Sequence, residues 1–141
     1  PSPLRGFNRR SVDELIEEGA HMIYDFSMIR GYYLGYWQVE HTFIAINPNI
    51  IITAGKQEEN VTIIHEWLHA YEDLILNIPR RFKETQIDWW AYYHHQRDRF
   101  LAEHIRGYFE DRGFKHNLCS NKFLKANSLR GVCLTPRKRS S

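Results

Sequence analysis

His65, Glu66 and His69 are the residues of this chain whose types and spacing could do chemistry. They read H-E-x-x-H within His65-Glu66-Trp67-Leu68-His69. On a helix, positions i and i+4 lie one turn apart on one face, so two imidazole nitrogens can meet a single ion. Zn²⁺ takes neutral imidazole nitrogen at about 2.0–2.1 Å and, in catalytic sites, keeps one position open for water. Glu66, beside the first candidate ligand, is placed to take a proton from that water, the chemistry of metal-assisted hydrolysis. The plain alternative is a hydrogen-bonded or surface histidine pair in a chain that holds 8 His. A helical setting and a nearby third ligand favour the metal reading.

The third ligand is expected from a neighbouring element. After Asn77-Ile78-Pro79 the chain reads as a further helix, on which Glu84, Asp88, Ala91, His95, Asp98 and Ala102 fall along one line at about 100° per residue. Ile87, Trp90, Tyr93 and Leu101 lie off that line. A solvated face would look similar, but a close approach to a metal also needs small and polar residues on one stripe. Glu84 and Asp88 compete for the ligand position: depth from the turn favours Asp88, and reach favours Glu84. The other is expected to orient a ligating histidine, because a metal-bound imidazole normally donates its second N–H to a carboxylate or carbonyl. His95 on the same stripe, or Tyr71 or Tyr92, could stabilise an oxyanion.

The elements that must position these groups are legible in outline. Val61-Thr62-Ile63-Ile64 leads into the motif and Ala70 to Leu76 leads out, with no Pro or Gly between 61 and 76, so a helix is expected over about 59–76. Ser11-Val12-Asp13-Glu14 has the S-x-x-E capping form, which predicts an N-terminal helix over about 12–29, closed by Gly31. Residues 1–10 read as an irregular lead-in. Tyr32 to Gln38 and Thr42 to Ile46 read as strands joined in a hairpin, and Ile50 to Thr53 as a third strand or a buried connector. A long helix is expected over about 80–111, interrupted or ended near Gly107 and Gly113. The fold class is α+β: a single domain over residues 1–141 with a small antiparallel sheet and flexible basic ends at 1–10 and about 134–141.

Composition fits a packed domain, with 43% hydrophobic and 26% charged residues. No run approaches the ~20 apolar residues that cross a bilayer, so no membrane partner is expected. A net charge of +2 argues against a nucleic-acid partner, although basic residues gather at both ends. Two cysteines, Cys119 and Cys133, make no disulfide framework, and the N-terminus has no apolar signal core. A cytoplasmic location is expected. His116, Cys119 and Cys133 lack the paired spacing of a second metal site.

Two resemblances add to this reading. Glu84-Thr85-Gln86-Ile87-Asp88-Trp89-Trp90-Ala91 resembles the E-x-x-A-[DN]-x-F-A stretch that follows H-E-x-x-H in ImmA/IrrE-type metallopeptidases. The Ile44 to Asn47 strand and the Thr62-x-x-His65-Glu66 approach are similar as well. Leu68 stands where that family usually has Gly, Ile87 where it has Ala, and no Leu-Leu-x-Pro follows Ala91. The resemblance implies a zincin-like fold, Glu84 as the third ligand, Asp88 behind a histidine, and a protein substrate such as a transcriptional regulator. Thr62 to Ala70 also resembles the SprT/Spartan helix, whose third ligand is a downstream His before Gly; His94, His95 and His104 are present, and none precedes Gly. The expected function is a Zn²⁺-dependent peptidase acting on a protein or peptide, with a zincin-fold regulatory or binding module of weak activity as the alternative. Fe, Mn or Ni can also occupy a site of two histidines and a carboxylate.

Overall fold

The computed structural model describes residues 4–78, 81–111 and 137–138. Its elements run α1 (Arg9–Glu17), β1 (His21–Tyr24), a 3-10 turn (Phe26–Met28), β2 (Tyr33–Gln38), β3 (Phe43–Ile46), α2 (Ile50–Ala54) and α3 (Lys56–Tyr71). A π-helical turn (Glu72–Leu76), α4 (Glu84–Arg97), α5 (Leu101–Asp111) and a two-residue β4 (Arg137–Lys138) follow. Among the described residues, no helix is long and apolar enough to cross a membrane. The α+β class holds, with strand order β1-β3-β2-β4.

The N-terminal helix is shorter than its sequence suggests, and it starts earlier. Asn8 caps it, its Oδ1 accepting from the Ser11 amide at 3.0 Å while Ser11 Oγ accepts from the Asn8 amide at 2.8 Å. Ser11 is therefore the third helical residue and not the cap. The helix closes in a Schellman motif: Gly19, at φ +105°, donates to Ile16 O and Ala20 donates to Leu15 O, both at 3.0 Å. Met22, Ile23 and Tyr24 then pack as a strand. Residues 4–8 are not a loose lead-in, since Leu4 and Phe7 are buried in the main core.

The expected β2–β3 hairpin forms, with Gly35 opposite Ile46 and Gln38 opposite Phe43. The sheet is mixed and not purely antiparallel, because β1 runs parallel to β3. Buried Asn47 secures the end of β3: its Nδ2 donates to Met28 O at 2.7 Å and to Tyr33 O at 3.0 Å. Residues 50–54 form the short helix α2, where a strand or connector was expected.

On this sheet lies α3, the centre of the domain. Every residue from Glu59 to Tyr71 is buried. A helix enclosed on all sides needs no amphipathic stripe, but its polar side chains need partners. Beyond it, the long helix expected over 80–111 is two helices. Asp98 leaves the helical region at φ −140°, its Oδ1 accepts from the Phe100 amide at 3.1 Å, and Arg9 bonds both its oxygens at 2.6 and 2.8 Å. Gly107 lies inside α5, so the interruption comes at a capping aspartate. Residues Gly113, His116, Cys119 and Cys133, and the basic tail apart from Arg137 and Lys138, lie outside the described residues.

Candidate metal centre

His65 and His69 project from one face of α3 toward the first turn of α4, where Glu84 stands. Their rings are 5.0 Å apart, and both residues are almost wholly buried. His65 Nε2 lies 2.7 Å from Glu84 Oε1, and His69 Nε2 lies 3.1 Å from Glu84 Oε2. One donor atom from each of the three residues falls within 4.8 Å of the others, so the group could hold a metal ion. Donors around a tetrahedral ion at about 2.0–2.1 Å are spaced ~3.3 Å apart, so outward shifts of roughly half an ångström admit one. Two imidazoles and a carboxylate are also a suitable donor set.

Each histidine is held from behind. His65 Nδ1 donates to Asp88 Oδ1 at 2.9 Å, and His69 Nδ1 donates to Glu72 Oε1 at 3.2 Å. A carboxylate only accepts, so these bonds keep a proton on Nδ1, and Nε2 would be the atom that meets an ion. Asp88 therefore orients a histidine while Glu84 stands among the donors. Counting depth from a common turn pointed the other way. The π-helical turn and the loop up to Lys83 separate the helices, which brings the start of α4 level with both histidines.

Glu72 has no counterpart in the sequence reading. Its only signal is position, three residues after His69 in an unbroken helical run. It is fully buried, and its Oε2 accepts from the Phe82 amide at 3.1 Å. The neighbouring Asp73 accepts from Trp37 Nε1 at 2.6 Å. One acid of the π-helical turn thus faces the centre and the loop into α4, and the next ties the turn to β2. Widened turns of this kind are frequent where a helix must aim side chains at a site.

Electrostatics at the cluster are dominated by these pairs. Burial disfavours the His69 imidazolium, but the hydrogen bonds to Glu72 and Glu84 and the charge of Glu66 outweigh it and hold the pKa up at about 10. His65 is raised too: burial works against its charge, and Glu66, Asp88 and Glu84 work for it. Burial pushes the Glu84 carboxyl up, yet the bonds from His65 and His69 prevail and hold it down at about 2. A metal ion at the two Nε2 atoms would take the place of protons, which would couple its uptake to proton release.

Glu66 is fully buried, and its charge acts on both histidines. Gly35 lets it come close to the sheet. A Cβ at Gly35 would meet Thr62 Cγ2 and Ala45 O at 2.9 Å and Glu66 Cγ at 3.4 Å. The missing side chain thus sets the height of α3 above β2.

The suggested oxyanion groups stand apart from the cluster. His95 is seven residues beyond Asp88, about 10 Å along α4, and its Nδ1 is buried without a hydrogen-bond partner among the described residues. The Tyr92 hydroxyl bonds Glu58, and the Tyr71 ring packs edge-on against Phe7 at 5.7 Å. Asp98 and Ala102 leave the stripe because α4 has ended before them.

Comparison with family models, curated proteins and solved structures finds no match to this chain.

Proposed function

We propose that this protein is a zinc-dependent peptidase with a zincin-like arrangement of α3, α4 and the sheet. One observation carries the reading: two helical histidines and a carboxylate converge, each histidine is fixed through Nδ1 by an acid, and Glu66 is buried beside them. Among the described residues the cluster has three donors, which leaves room for water and a carbonyl oxygen. When bound, the ion would supply Lewis acidity toward the scissile carbonyl and a lower pKa for the attacking water.

The chain's own residues do the rest. His65, His69 and Glu84 would hold the ion in place. Asp88 and Glu72 keep the imidazoles in one tautomer and one orientation. Glu66 accepts the proton of the attacking water and returns it to the leaving amine, a transfer worth roughly 10²–10⁴-fold in rate. The resemblance to ImmA/IrrE-type metallopeptidases points the same way and makes a protein substrate in the cytoplasm the natural choice.

One observation favours the second reading, a regulatory or binding module. An extended peptide could pair with β2, but the edge of β2 away from β3 already carries Arg137–Lys138, with Gly35 opposite Arg137.

Glu66→Gln separates the two readings, because it removes a charge and little volume. A peptidase should keep its metal, measured by elemental analysis, and lose hydrolysis of a peptide library by two orders of magnitude or more. Unchanged cleavage by the variant, or no cleavage by the metal-loaded wild type, would hand the case to the binding module.

A further inference from the structure

About 20 Å along α4 from Glu84, by thirteen residues of helical rise, a second cleft opens where α4 meets the start of α1. Its volume is ≈ 620 Å³, far more than a bare ion needs and within the range of about 300–1,000 Å³ that organic ligands occupy. Arg5, Asn8, Tyr93, His94, Arg97 and Asp98 are on its walls. The one acid among them is already neutralised, since Arg9 grips Asp98 through two hydrogen bonds of 2.6 and 2.8 Å. Arg5 has no hydrogen bond or ion pair among the described residues. Arg97 donates through one nitrogen to the Tyr93 hydroxyl at 3.1 Å and lies 5.7 Å over that ring, which fixes the guanidinium while leaving its other donors unused.

A helix end adds positive potential, and a neutral imidazole adds an unpartnered polar atom. Asn8 is the N-cap of α1, a nine-residue helix with no acid in its first turn, so the positive end of a helix dipole lies at the cleft. His94 is buried to 8% exposure, and its Nε2 has no hydrogen-bond partner among the described residues. Burial and then Arg97 push its pKa down to about 4, so at neutral pH it is an uncharged imidazole.

We propose that this cleft binds a small phosphorylated organic molecule, its phosphate held between the guanidinium groups of Arg5 and Arg97 at the head of α1. Two guanidinium groups and a helix N-terminus suit a doubly charged oxyanion better than a single carboxylate. The spare volume and the Tyr93 and Leu101 walls accept the organic part. The site is independent of the metal centre and of any peptidase activity.

Calorimetric titration of the full chain with adenosine monophosphate, adenosine and inorganic phosphate tests the assignment. AMP should bind, phosphate should compete with it, and adenosine should bind at least tenfold more weakly. Arg5→Gln and Arg97→Gln should each weaken AMP about tenfold or more, whereas exposed Arg30→Gln should not. The affinity should be the same with EDTA present. Loss of binding in EDTA would place the phosphate on the metal cluster. Absence of AMP binding at millimolar concentration, or equal weakening by all three arginine variants, would also overturn the proposal.

Discussion

Replacing Glu72 by Gln perturbs the centre at the residue that sequence reading missed. The wild-type carboxylate is fully buried and accepts two donors, His69 Nδ1–H at 3.2 Å and the Phe82 amide at 3.1 Å. Gln keeps the volume but has only one oxygen. Whichever donor that oxygen keeps, the other faces an NH₂ group in a site without exposure. Losing the acid behind a ligating histidine costs typically 10–100-fold in metal affinity, about 1.4–2.7 kcal/mol. The fold should also lose about 1–3 kcal/mol for the unpaired donor. Zinc affinity is measured by competition with a chelating indicator, at a temperature where circular dichroism shows the variant folded. Asp88→Asn, at a half-buried position with one bond to His65, should fall at the smaller end of the range. A zinc affinity of Glu72→Gln within twofold of wild type would refute the orienting role.

Other expectations follow from the same geometry. Gly35→Ala places a methyl 2.9 Å from Thr62 Cγ2 and Ala45 O, so α3 must back away; a loss of about 1–3 kcal/mol and several degrees in Tm is expected by thermal denaturation. An unchanged Tm would mean that the helix has slack there. His94 titrates at about 4 folded against 6.5 for the ordinary imidazole, so the unfolded chain takes up this proton first. Its contribution is complete above pH ~6.5 and is lost as pH falls toward 4, with stability dropping by up to about 3 kcal/mol. Urea denaturation between pH 7 and 4.5 should show a shallower fall in His94→Gln, and parallel curves would count against the burial argument. Metal uptake at pH 7.5 should release protons, because His69 is held up at about 10; proton-release calorimetry in buffers of different ionisation enthalpy would read zero if both histidines were already neutral.

The histidine pair of the candidate centre was legible along the chain because its spacing is local. Helical spacing alone puts His65 and His69 on one face and Glu66 beside them, and a run without Pro or Gly secures the helix. The hairpin was legible for the same reason, since short runs rich in aromatic and β-branched residues and a short link define it. Helix ends were harder. His21 to Tyr24 is apolar enough for a buried strand or a helix, and only the Schellman closure at Gly19, which depends on a positive φ, ends α1 in time for β1 to pair with β3. Asp98 likewise divides α4 from α5 because Arg9, 89 residues away in sequence, meets its carboxylate.

Which carboxylate joins the donors could not follow from spacing within either helix. It depends on how far the π-helical turn and its loop carry the chain before α4 begins, and on the height that Gly35 allows α3 above the sheet. Glu72 behind His69 and the cleft between α1 and α4 belong to the same class of fact. Sequence periodicity fixes what shares a face within one element; the distance between faces of different elements is a property of packing.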